Sequence, residues 1–235
     1  MLSGQTIFFL PGMDGTGISF EPVQGRLARD VQTKVVRYPN DRLLSFEETV
    51  RWAGSQLPLD QRNSIVIAES FSGPVAVSLL ASGRVKAKCL VLCATFASAP
   101  RPRLWRTLSY LPLAWLTKPP LPRILLQWAI EGGKETVDLF LAMWGRVKAQ
   151  VPAKVLAHRL RIMSRVDVRG RLPKIAVPCL YLQATRDMSV PASALLDFSR
   201  QVPDLRVRRI KGPHFILQAR PRECLEAIED FLNTL

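Results

Sequence analysis

Short apolar runs, rich in β-branched residues, recur along this chain: Ile7 to Leu10, Val35 to Tyr38, Ile65 to Ala68, Leu90 to Cys93, Leu180 to Leu182 and Leu205 to Ile210. Between most of them lie stretches with helical spacing, such as Ser45 to Leu57 and Val75 to Leu80. Runs as apolar as SIVIA and CLVLC suit strands buried on both faces, as a mainly parallel sheet requires. Strand and helix patterns in alternation define an α/β fold with helices flanking the sheet. At 235 residues the chain is sized for one core with room for a sub-domain.

One interval interrupts the rhythm. From Ala97 to Gly170 no strand pattern is found, and four of the five tryptophans (Trp105, Trp115, Trp128, Trp144) fall inside it. The expectation is an inserted helical cap over 97–170, with the core formed by 1–96 and 171–235. Within Pro152 to Val166, Lys154, His158, Arg161 and Arg165 share one side at helical spacing, while Leu156, Leu160 and Met163 fall on another.

Composition bounds the rest. With 48% hydrophobic residues and 22% charged, the chain can build a large core and is not disordered. Lys plus Arg number 33 against 19 Asp plus Glu, a net +14 that biases encounters toward anionic surfaces. The cap carries much of that excess, with 13 basic residues against 4 acidic ones. Four cysteines are too sparse for a disulfide scaffold, and Cys89 and Cys93, roughly 13 Å apart along a strand, cannot pair with each other. With two histidines and no C-x-x-C spacing, no metal site is expected. Met1 leads almost directly into the first strand without a secretory leader pattern. The most apolar long stretch, Thr107 to Ile130, is cut by Lys118, Arg123 and four prolines, wrong for a spanning helix. A cytoplasmic protein without a transmembrane segment is expected.

Four segments carry chemistry. IVIAESFSG, Ile65 to Gly73, reads as a buried strand entering a tight turn with Ser70 at its tip and a helix starting near Pro74. A nucleophile on such a turn needs small neighbours two residues either side, and Ala68 and Ser72 meet that need. The helix N-terminus offers unpaired N–H groups where negative charge develops on a substrate oxygen. FFLPGMDGTG, Phe8 to Gly17, lacks the phosphate-loop and dinucleotide patterns. It reads as an oxyanion loop whose Met13 amide joins that of Phe71, with a plain glycine turn as the alternative. In CLYLQATRDMSVP, Cys179 to Pro191, Asp187 follows a strand by a few residues, placed to orient an imidazole, with Asp14, Asp197 and Asp204 as weaker rivals and a solvated loop aspartate as the alternative. In KGPHFIL, Lys211 to Leu217, His214 comes four residues after the last strand, whereas His158 lies on the basic cap helix.

The order Ser70, Asp187, His214 is that of an α/β-hydrolase, and the chain resembles that superfamily over nearly its whole length. Asp167 to Pro191 is further similar to the cap exit and acid strand of the capped esterases that include pimeloyl-carrier-protein methyl ester esterase. Pro11-Gly12 stands where His-Gly is usual before the oxyanion residue, and Ala68 and Ser72 stand where glycines are commoner.

These readings predict a serine carboxylesterase acting on short- to medium-chain acyl esters through a Ser-His-Asp triad and an acyl-enzyme, with no cofactor. Met13, Phe71 and Met188 are candidate substrate-binding residues under the cap, with ordinary packing as the alternative. An acyl-carrier-protein ester or thioester hydrolase, a lipase and a non-catalytic basic binding protein are the competing readings. The basic cap admits an acidic acyl carrier protein, an anionic lipid surface, or mere solvation. No nucleic-acid partner is expected, since no DNA- or RNA-reading motif accompanies the charge.

Overall fold

Alternation along the strands decides how the chain layers. In the computed structural model, which describes residues 2, 4–58, 60–101, 106–107, 110 and 133–235, six strands form one sheet in the order β2-β1-β3-β4-β5-β6. They are β1 (Thr6–Leu10), β2 (Gln32–Val35), β3 (Asp60–Glu69), β4 (Lys86–Cys93), β5 (Cys179–Ala184) and β6 (Leu205–Ile210). Every neighbouring pair is parallel. Phe8, Leu10, Val66, Ala68, Leu90, Leu92 and Tyr181 face one core. Their alternates Ile7, Phe9, Ile65, Ile67, Val91 and Leu182 face the other. Successive strand side chains point to opposite faces, so strands apolar at every position need cover on both sides.

Helices supply that cover. On the first face lie α2 (Phe46–Ser55), α3 (Ser72–Ala81) and α6 (Leu195–Gln201), and on the second α1 (Glu21–Gln24), α7 (Ile216–Ala219) and α8 (Pro221–Leu232). Helix α2 starts at a capping box in which the Ser45 hydroxyl accepts from the Glu48 amide and the Glu48 carboxylate accepts from the Ser45 amide. In α8, Cys224, Leu225, Ile228, Phe231 and Leu232 form the buried stripe.

The second strand lies earlier than its apolar residues suggest. The run Val35 to Tyr38 predicts a strand, yet the ladder covers Gln32–Val35. As an edge strand, β2 is half exposed and takes polar residues, while Val36 and Tyr38 are buried beyond its end. At the other edge, β6 exposes Arg206, Arg208 and Arg209, charges that discourage pairing with another sheet.

Between β4 and β5 stand α4 (Gly133–Gln150) and α5 (Ala153–Met163). They occupy part of the interval expected to form the cap. Trp105, Trp115 and Trp128 lie outside the described residues. Arg146 of α4 pairs with Glu21 at 2.5 Å, and Asn40 donates to the Gln150 carbonyl at 3.3 Å. No helix among the described residues is long and apolar enough to cross a membrane.

Chain order reverses between β1 and β3, which lie side by side although β2 intervenes in sequence. The loops leaving the carboxyl ends of these two strands open a crevice there.

Candidate active site

Ser70 follows β3 directly, with a left-handed φ of 50°. That conformation costs a non-glycine residue about 1 kcal/mol or more, so the surroundings must hold it. The Ser70 amide donates to the Cys93 carbonyl at 2.9 Å, and its carbonyl accepts from the Thr95 hydroxyl at 2.5 Å. Gly73 lets α3 approach this point: a Cβ there would stand 2.7 Å from Thr95 Cβ and would collide with Thr95 Oγ1. The Ser72 hydroxyl donates to the Pro11 carbonyl, tying the turn to the loop after β1.

The structure brings the three expected polar residues into one line. Ser70 Oγ lies 2.8 Å from His214 Nε2, and His214 Nδ1 lies 2.7 Å from Asp187 Oδ2. The other oxygen of Asp187 accepts from the Ser189 and Val190 amides at 2.8 Å each. Asp187 is thereby held as an acceptor facing the imidazole, and its side chain is 6% exposed against 24% for His214. Burial works against a charged His214, but the Asp187 charge and hydrogen bond outweigh it, with help from Glu69, and raise its pKa above the ordinary histidine value.

Loop 11–17 lies over this line. A Cβ on Gly12 would come within 3.9 Å of Ser70 Cβ, and the loop turns back through the Gly15 amide donating to the Gly12 carbonyl at 3.1 Å. Phe71 is the N-cap of α3, where amide groups lack helical partners. A cavity of about 200 Å³ opens above Ser70 and His214. Its apolar wall includes Met13, Phe140, Trp144, Val147, Leu160 and Met163, from the loop and from α4 and α5.

Met13 therefore lines the cavity, but the other two candidate substrate contacts do not. The Phe71 side chain is buried against Tyr38, with ring centres 5.9 Å apart and an edge-to-face arrangement. Met188 is 63% exposed, and its neighbour Ser189 takes the lining position. The turn that aims Asp187 inward, with the 189 and 190 amides wrapped around it, directs Met188 away. His158, expected on a basic surface, instead donates from Nε2 to the Leu44 carbonyl at 2.8 Å.

Two buried polar residues of the cavity escaped the sequence reading. Glu69 precedes the serine and is 5% exposed, its Oε1 accepting from Gln218 Nε2 at 2.9 Å. Burial pushes its carboxyl up to about 7. An acid inside the apolar run IVIAES was the visible signal, while Gln218 offered none. Among the described residues, no group of three or more His, Cys, Asp or Glu could hold a metal ion.

Residues 7–227 match the profile of the Alpha/beta hydrolase family, and the chain belongs to that family. Its fold is the α/β-hydrolase fold. Solved structures share it at low identity. The enol-lactonase from Burkholderia xenovorans LB400 is 15% identical with a TM-score of 0.75, covering 98% of this chain and 92% of that one. The bromoperoxidase from Bacillus anthracis is 18% identical with a TM-score of 0.77 and the same coverage, 98% and 92%. The esterase EaEST from Exiguobacterium antarcticum is 15% identical with a TM-score of 0.69, again covering 98% and 92%. No curated protein matches the sequence significantly.

Proposed function

We propose that the protein is a serine carboxylesterase hydrolysing short- to medium-chain acyl esters. The observation that carries this reading is the Ser70, His214, Asp187 line, at 2.8 and 2.7 Å, on the strained turn at the end of β3. His214 Nε2 takes the Ser70 proton as Oγ attacks the ester carbonyl, and Asp187 stabilises the imidazolium. The amides of Met13 and Phe71 receive the oxyanion. His214 then passes its proton to the leaving alcohol, and water attacks the acyl-enzyme by the reverse relay to release the acid. The apolar cavity suits a hydrocarbon acyl group rather than a charged one.

The enol-lactonase and esterase among the structural neighbours are consistent with ester chemistry on this fold. Ser70→Ala removes the nucleophile and lowers kcat for p-nitrophenyl esters by about 10⁴-fold or more, with the melting temperature retained. Fluorophosphonate labelling of the wild type falls on Ser70. A folded Ser70→Ala protein with wild-type turnover would overturn the assignment. Profiling from acetyl to palmitoyl esters separates an esterase from a lipase, and acyl thioesters test the thioesterase alternative.

A further inference from the structure

Helix α5 places one cation where its surface pattern gives no place for one. Arg159 is 5% exposed, and its guanidinium donates from Nη1 to the Met13 and Asp14 carbonyls at 3.0 and 2.6 Å. From Nη2 it donates to the Pro39 carbonyl at 3.0 Å and to Asn40 Oδ1 at 3.4 Å. Its Cζ lies 5.7 Å from the centre of the Tyr38 ring, and the Tyr38 hydroxyl shares a 2.5 Å hydrogen bond with Ser72 on the serine turn. The loop is moulded around the guanidinium: Gly15 has a φ of 70°, and a Cβ there would stand 2.5 Å from Arg159 Nη1.

This arrangement bears on the Met13 amide. The Gly12 carbonyl and the Met13 N–H belong to one planar trans peptide and point in opposite directions. The Gly15 amide holds the Gly12 carbonyl, which turns the Met13 N–H the other way. Arg159 satisfies the next two carbonyls of the same turn. Without it, these partly buried carbonyls would lose their Arg159 donor and the turn would relax to regain one.

We infer that Arg159 is a positioning residue: from the roof helix α5 it clamps turn 12–15 so that the Met13 amide is held ready for the oxyanion. The inference rests on the ester-hydrolase reading above. It requires that losing the clamp slow the chemical step more than it weakens binding of a small ester.

The test compares wild type, Arg159→Lys and Arg159→Met on p-nitrophenyl butyrate, with melting temperatures checked. Arg159→Met lowers kcat by about tenfold to a hundredfold while KM stays within about threefold, as expected for a displaced oxyanion donor. Affinity for a benzeneboronic acid, whose Ser70 adduct places an oxygen where the oxyanion forms, falls in step with kcat. Arg159→Lys keeps the charge and some of the hydrogen bonds, and falls between the two. If the methionine variant does not fold, the lysine variant carries the test, with kcat reduced at least about threefold at unchanged KM. Wild-type kcat in the folded variants, or a rise in KM with boronate affinity unchanged, overturns the clamp alone. A wild type that neither turns over esters nor takes fluorophosphonate at Ser70 removes the hydrolase reading and the clamp together.

Discussion

At the scale of single residues, His214 is poised by opposing terms that can be separated. Desolvation of the imidazolium pulls its pKa down, and the Asp187 carboxylate, bonded at 2.7 Å, together with Glu69 more than compensates. General-base catalysis needs the neutral ring, so a raised pKa moves the rising limb of the pH–rate profile above ~6.5. Asp187→Asn leaves the desolvation and removes the charge, so the His214 midpoint falls while kcat drops by about 10⁴-fold. With two histidines in the chain, NMR titration of the imidazoles reads the midpoint directly. The same His214 midpoint in both proteins would show that Asp187 does not act on the ring. Ser70, Asp187 and His214 were legible in the sequence because each follows the carboxyl end of a strand, β3, β5 and β6 respectively. Met188 was misplaced because adjacency to Asp187 in sequence says nothing of which way a turn directs a side chain.

At the scale of elements, the serine turn depends on how closely α3 and β4 approach. Gly73 has no room for a methyl group, since a Cβ added there would stand 2.7 Å from both Thr95 Cβ and Thr95 Cγ2. Gly73→Ala forces α3 away from Thr95, the donor to the Ser70 carbonyl. Overpacking of this kind costs about 1–3 kcal/mol. Urea denaturation should show that loss as a lower midpoint with unchanged slope, together with reduced esterase activity. An alanine variant as stable and active as wild type would show that the contact is not tight. The helical spacing of 152–166 and its basic side are readable in the sequence, but Arg159 falls four residues after Val155 and four before Met163, on the buried side. A cation at an apolar helix position is the signal for a buried partner, and only the folded loops at 13–14 and 39–40 identify that partner.

At the scale of the whole molecule, the net charge of +14 contrasts with an apolar cavity. Surface charge steers encounters with anions, but it has little hold on a neutral ester entering such a pocket. For p-nitrophenyl butyrate, kcat/KM should change by less than about twofold between roughly 50 and 500 mM salt. An ester carried on an acidic acyl carrier protein provides the contrast: a steep fall with salt marks use of the basic surface, and a flat response assigns the charge to solvation. A steep salt dependence with the neutral ester would contradict the separation of charge from pocket.

The α/β class, the parallel sheet and the placement of Ser70, Asp187 and His214 after the carboxyl ends of strands were determined by sequence alone. These follow from local periodicity and turn chemistry, which act between near neighbours in the chain. The edge position of β2, the inward carboxyl of Glu69, the outward Met188 and the grip of Arg159 on the loop after β1 were decided only by tertiary structure. Each depends on which distant segment supplies the missing hydrogen bond or covers the apolar face, and that is settled when the sheet is assembled and α4 and α5 pack against the loops at 13–14 and 39–40.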